Sequence, residues 1–271
     1  MARGPPGQEC GPRGKVPQEL SRQISSPLHR RPLYQSIPSP TMHTIRVWDL
    51  PTRLFHWLLA ACVIGLVVTG SVGGNWMNWH LRLGYAVLTL LLFRLVWGFI
   101  GGHWSRFGSF LYAPSSVIAY LRGRARPEHS VGHSPLGALS VFAMLFMVLL
   151  QVSLGLFARD DTGFMGPLSA LISLNQAEEI TDWHRLSANV VFLLVLLHIS
   201  AIIYYRLFCQ QSLVLPMITG VKKYSDAPAT EGGGAKALII SVLLATIVVV
   251  AVLQTGAPAP AAAAPVVTPA W

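Results

Sequence analysis

Five long stretches of the chain are almost wholly apolar, and polar, turn-rich connectors separate them: residues 54–72, 80–100, 136–157, 183–205 and 237–253. A helix rises about 1.5 Å per residue, so about 20 apolar residues cross the hydrocarbon of a bilayer. The first four stretches meet that length, and the fifth is at its short end but carries no polar interruption beyond Ser and Thr. The apolar residues run on continuously instead of alternating, which excludes a transmembrane β-barrel. The pattern therefore predicts an all-α membrane protein: a bundle of four transmembrane helices and a fifth, C-terminal transmembrane helix. The segment 114–124, PSSVIAYLRGR, fits either a short interfacial helix or a solvated connector.

Composition sharpens this picture. Only 11% of the 271 residues are charged, against about 25% in soluble domains, and the mean hydropathy is +0.51. The net charge of +9 sits in particular connectors, so it does not point to nucleic acid. Eight Lys and Arg residues precede the first helix, and the 73–79 connector has none. The 101–135 connector holds Arg106, Arg122, Arg124 and Arg126. The 158–182 connector holds Arg159 against Asp160, Asp161, Glu178, Glu179 and Asp182, and 206–236 is basic again. This alternation predicts a cytoplasmic N-terminus. Residues 1–43 are basic and rich in Pro, Gly and Ser, and are expected to be a disordered tail, with Met42 as an alternative start. A transmembrane segment, 44–225, is followed by a linker at 226–236, the fifth helix at 237–253 and a disordered Ala/Pro tail at 254–271.

The histidines carry the candidate chemistry. Of nine, four lie in or at the ends of membrane stretches: His56, His80, His184 and His198. An ionisable side chain at membrane depth is costly and marks function by default. The predicted topology places His80 and His184 near the outer face and His56 and His198 near the inner one. His184 and His198 are 14 residues apart, just under four turns and about 21 Å, so they project from nearly the same face of one helix. Each layer thus pairs two imidazoles from different helices, which is what the two axial positions of a haem iron require. Zinc would want four close ligands at short spacing, and neither layer has them. The three cysteines, Cys10, Cys62 and Cys209, show no metal-ligand spacing, and no CxxCH is present for covalent haem. Arg82 and Arg185 flank the outer histidines, Arg53 flanks His56, and Arg94 lies at the inner level of the second helix. These four are candidate partners of anionic haem propionates, with snorkelling to headgroups as the alternative, above all for Arg53. Gly65 and Gly84 offer room for a macrocycle or a neighbouring helix. The tryptophans fall mostly at the expected interfaces, as an aromatic belt.

RLFHWLLAACVIGLVVTG from Arg53, WHLRLGY from Trp79, GHSPLGALSVFAMLFMVLLQVSLGLF from Gly132 and DWHRLSANVVFLLVLLHISAI from Asp182 together resemble the four core helices of the bacterial cytochrome b561 family. That family includes the b-type cytochrome subunits of nickel–iron hydrogenases. The resemblance covers roughly residues 44–225. It implies a four-helix transmembrane haem-binding bundle with two haem b groups, His56/His198 and His80/His184 falling on the ligand positions. It implies a multi-pass protein of the bacterial inner membrane. It also implies electron exchange between a quinone pool and a c-type cytochrome or other redox subunit, such as that of a dehydrogenase or hydrogenase. His133, in GHSPLG, is a second candidate for the inner layer or for a quinone or proton role.

With both axial positions filled, outer-sphere electron transfer is favoured over oxygen activation. The chain therefore reads as an electron-transfer subunit of an oxidoreductase system instead of a stand-alone enzyme. Two rivals remain open at this point: a superoxide:quinone oxidoreductase using Arg82 and Arg185 to attract the anion, and a haem-free membrane scaffold or transporter.

Overall fold

The computed structural model describes residues 43–124, 132–160, 163–224 and 233–255. The expected N-terminal tail up to residue 42, most of the 226–236 linker and the tail from 256 lie outside the described residues. The elements are, in order, β1 (His43–Arg46), α1 (Leu50–Val72), α2 (Met77–Ile100), α3 (Pro114–Leu121), α4 (Pro135–Phe157), α5 (Leu174–Leu207), α6 (Val214–Thr219), β2 (Val221–Tyr224) and α7 (Ala235–Thr255). Among the described residues, five helices are long and apolar enough to cross a membrane, as the hydropathy pattern predicts. The segment left open between helix and connector forms α3, with Pro114 at its first turn, where the missing N–H costs nothing.

The start of α5 departs from expectation. The helix begins at Leu174, nine residues before the apolar stretch, so Glu178, Glu179 and Asp182 lie on a helix and not in a loop. The reason is a capping box. Ser173 Oγ accepts from the Gln176 backbone N–H at 3.4 Å, and Gln176 Oε1 accepts from the Ser173 N–H at 3.0 Å. Reciprocal bonds of this kind satisfy two orphan donors and start a helix whatever its hydropathy.

The described residues fall into two compact units. Of the described residues, the first holds 43–53, 102–124, 132–141, 198–224 and 233. It holds an unexpected two-stranded antiparallel sheet, with His43 opposite Tyr224 and Arg46 opposite Val221. Gly220, at φ +83°, ends α6 in the left-handed conformation that glycine adopts without strain. Its carbonyl then accepts from the N–H groups of Val47 at 2.9 Å and Trp48 at 3.1 Å. Next in the chain, Asp49 caps α1: its Oδ1 accepts from Thr52 N–H at 2.9 Å, and its Oδ2 accepts from Ser105 Oγ at 2.7 Å. Asp49, Thr52 and Ser105 are all buried. Replacing Asp49 with alanine removes the cap and leaves the Ser105 hydroxyl with Thr52 Oγ1, at 2.7 Å, as its remaining partner, which should cost about 0.5–2 kcal/mol. A lowered Tm in detergent would register the loss, and a Tm equal to the parent's would refute this account of the cluster.

The second unit draws on Leu54–Gly101, Phe142–Leu197 and Gly234–Trp271. Its core is built on α2. Val87, Leu88 and Leu91 pack with Val148 and Val152 of α4, joined by Leu59, Cys62 and Leu66 of α1, Val191 of α5, and Val249 and Val252 of α7. The spacing of these residues on α2 and α4 is that of a single helical stripe. On α7 the fully buried residues are Ser241 and Ala245, one turn apart. Small side chains let two membrane helices approach closely, and α7 lies along α2. Large apolar side chains elsewhere on the helices stay exposed, as lipid contact demands.

Candidate functional site

The turn between α1 and α2 passes through Gly73 and Gly74, both at positive φ, and returns the chain so that His80 faces the end of α1. Its Nδ1 lies 3.0 Å from the Leu66 carbonyl oxygen, with Thr69 Oγ1 at 3.3 Å. The same device recurs between α4 and α5, where His184 Nδ1 lies 3.0 Å from the Gln151 carbonyl oxygen. A ring nitrogen facing a carbonyl carries the proton, so in each histidine Nδ1 donates and the Nε2 lone pair is left for a ligand.

The repeat extends further. Gly70 stands four residues after Leu66, and Gly155 four residues after Gln151. A Cβ at Gly70 would meet His80 Cε1 at 3.1 Å, and one at Gly155 would meet His184 Cε1 at 3.1 Å. Each imidazole therefore lies on bare backbone of the preceding helix. A tryptophan, Trp79 or Trp183, precedes each histidine in sequence. The two rings face one another with centroids 6.2 Å apart and planes at 81°.

His184 has a further polar surround. Ser187 Oγ donates to Gln151 Oε1, and Gln151 Nε2 donates to the His184 carbonyl oxygen at 3.0 Å. Sequence reasoning missed Gln151, Ser187, Thr69, Gly70 and Gly155. Gln151 carried a usable signal, since an amide inside an apolar membrane stretch has to be satisfied there. The glycines did not, because helix packing explains a membrane glycine equally well.

The other expected site residues are placed as follows. Arg82 stacks its guanidinium over the Trp79 ring at 5.1 Å. Arg185 pairs with Asp182 at 3.6 Å, both well exposed. Arg94 is buried on α2. Arg53 Nη1 donates to the Ile218 carbonyl oxygen at 2.6 Å. His133 lies between the rings of Phe110 and Trp48, at 4.3 Å and 4.6 Å, and its carbonyl accepts from the Tyr112 hydroxyl at 2.8 Å. His56 belongs to the second unit and His198 to the first, so neither unit by itself joins the inner pair.

A sequence profile of the family described as prokaryotic cytochrome b561 matches residues 47–220. The chain belongs to the prokaryotic cytochrome b561 family. Among curated relatives, a probable Ni/Fe-hydrogenase B-type cytochrome subunit of Cupriavidus necator is 27% identical over 213 residues, 66% of this chain and 87% of the relative. The protein of the same description from Azotobacter vinelandii is 25% identical over 222 residues, 67% of this chain and 90% of the relative. A probable Ni/Fe-hydrogenase 1 B-type cytochrome subunit of Escherichia coli K12 is 23% identical over 213 residues, 66% and 90% of the two chains. No solved structure matches the chain.

A cytochrome b561 is a multi-pass membrane protein that carries haem b and transfers electrons. Membership sets aside the haem-free scaffold. The His80–His184 pair fits the group. Two imidazole–metal bonds of about 2 Å each, together with the ring radii, match the separation of the two rings. Among the described residues, no three His, Cys, Asp or Glu side chains converge as a metal site. A Cβ at Gly84, one turn after His80, would meet no atom within 4 Å, which leaves that flank of α2 open for a bulky group.

Proposed function

We propose that this cytochrome b561 holds two haem b groups and passes electrons between a redox subunit of the nickel–iron hydrogenase kind and a quinone pool. The observation that carries the reading is the facing pair His80 and His184, each with Nδ1 tied to a carbonyl of the preceding helix. His56 and His198 hold the second haem. α5 runs unbroken from Leu174 to Leu207 and so carries His198 about 21 Å along the helix from His184, too far to serve the same iron. The names of the relatives favour a hydrogenase over a c-type cytochrome as partner. The collection of basic connectors in the first unit supports a cytoplasmic N-terminus in the bacterial inner membrane.

Haem supplies the one-electron iron couple. The chain's residues do the rest. His80 with His184, and His56 with His198, would each hold one haem, which would supply outer-sphere electron transfer there. The Nδ1–H to carbonyl bonds hold each ring in one tautomer and orientation and raise the basicity of Nε2. Arg94, buried in α2, is the residue we assign to a propionate, with Arg53, Arg82 and Arg185 as further candidates nearer the ends of their membrane stretches. His133 is kept as a candidate for a quinone or proton role. The superoxide reading has no support beyond Arg82 and Arg185, which stand against Trp79 and Asp182.

The test is a reduced-minus-oxidised difference spectrum of the protein purified in mild detergent, with haem quantified per chain. A b-type spectrum with a ratio near two is expected, and alanine at His56 or His198 should remove the same one of the two. A folded preparation with one haem, or none, overturns the proposal.

A further inference from the structure

The two rings of the outer pair are held unequally. His80 is held by the Leu66 carbonyl and the Thr69 hydroxyl, and that hydroxyl also donates to the Gly65 carbonyl at 2.7 Å. His184 is held by both ends of a single residue. The Gln151 carbonyl accepts from Nδ1 at 3.0 Å, and the Gln151 amide lies against the ring, its Nε2 being 3.2 Å from Nδ1 and 3.3 Å from Nε2.

The orientation of that amide follows from its partners. The His184 carbonyl, at 3.0 Å, is an acceptor only, so the atom facing it is the amide nitrogen. The oxygen must then face Ser187, whose buried hydroxyl donates to it. The ring is therefore closed in by the Gln151 amide and by the bare backbone of Gly155, where an added Cβ would stand 3.1 Å from Cε1. A ring confined in this way cannot turn about its Cβ–Cγ bond without breaking the amide's bonds.

We propose that Gln151 is the positioning residue that sets the plane of His184, and so the angle between the two rings, with Ser187 locking its amide. This rests on the reading of His80 and His184 as ligands of one haem. Two consequences follow. In a low-spin ferric haem with two imidazole ligands, the anisotropy of the EPR signal depends on the angle between the ring planes. The Nδ1–H bond to carbonyl makes the imidazole a stronger donor, which favours the ferric state; loosening it raises the midpoint potential.

The experiment compares the purified haem-loaded protein with Gln151→Leu, Ser187→Ala, the double variant and His184→Ala. Haem per chain, the low-temperature EPR spectrum and a redox titration are recorded for each. Leucine keeps the backbone carbonyl and suits an apolar helix. Gln151→Leu is expected to keep the parent's haem content, to shift and broaden the EPR signal of one haem only, and to raise the midpoint of that haem. Ser187→Ala should shift both in the same direction by less. The double variant should go no further than Gln151→Leu, because Ser187 acts through Gln151. If Gln151→Leu sheds a haem, Ser187→Ala carries the same test by the same readouts. Parent-like EPR and potential in Gln151→Leu, or additive shifts in the double variant, overturn the proposal. If His184→Ala keeps both haems, the ligand assignment itself has failed; if it loses one while Gln151→Leu matches the parent, only the role of Gln151 has.

Discussion

Replacing either His80 or His184 with alanine is expected to halve the haem content of the purified protein, from two per chain to one, with the same haem lost in both variants. The rings face one another at 6.2 Å, so on the proposed reading they serve one iron. Either deletion takes away half of its axial bonds together with a ring already oriented by a carbonyl bond of 3.0 Å. The helices should tolerate the change, because alanine has the highest helix propensity and neither histidine belongs to the apolar core around Val87, Leu88 and Leu91. Pyridine haemochrome quantification and the position of the surviving α-band measure the result. The double variant should retain one haem, as each single variant does. Loss of different haems in the two variants would refute the pairing.

The second large effect is expected where no ligand is touched. Gly70→Val and Gly155→Val should each remove the outer haem as fully as deletion of the histidine. A Cβ at either position would lie 3.1 Å from the Cε1 of the imidazole, and the two methyl groups of valine extend the intrusion. The ring has to swing away from the carbonyl that orients it. Alanine at either site asks the ring to give by a few tenths of an ångström and should weaken haem binding by about 10–100-fold, the usual cost of disturbing a ligand's orienting partner. Haem titration of depleted membranes separates the two substitutions. Parent-like binding by both valine variants would show that the glycines only pack helices.

The two histidines illustrate how unevenly the site was legible. Their identity and depth could be read from the chain, because a histidine within an apolar stretch stands out and the helical rise fixes its level. What holds them could not. The Leu66 and Gln151 carbonyls are backbone groups that every residue has, and nothing in the local pattern marks them as acceptors. Gln151 stood in view inside an apolar stretch, but its partner Ser187 lies 36 residues away. The arginines add a second case. Their proximity in sequence to the histidines suggested propionate partners, and the fold adds what the sequence did not show, Asp182 beside Arg185 on the same helix and the face of Trp79 under Arg82.

The limits of the elements follow the same division. The apolar stretches located all five membrane helices because the bilayer acts on each residue separately, and a run of the right length is sufficient. They missed the first nine residues of α5, where the Ser173–Gln176 capping box works outside the hydrocarbon. They gave no sign of the sheet, since β1 and β2 pair across nearly the whole described chain. The sequence by itself determined the membrane class, the number of apolar spans and which histidines lie within or beside them. Only the tertiary structure decided that His80 meets His184, that Gly70 and Gly155 back their rings, and that α7 lies along α2 through Ser241 and Ala245. The reason is that in lipid the inward and outward faces of a helix are almost equally apolar. Hydropathy then fixes how deep a residue sits but not which way its helix is turned.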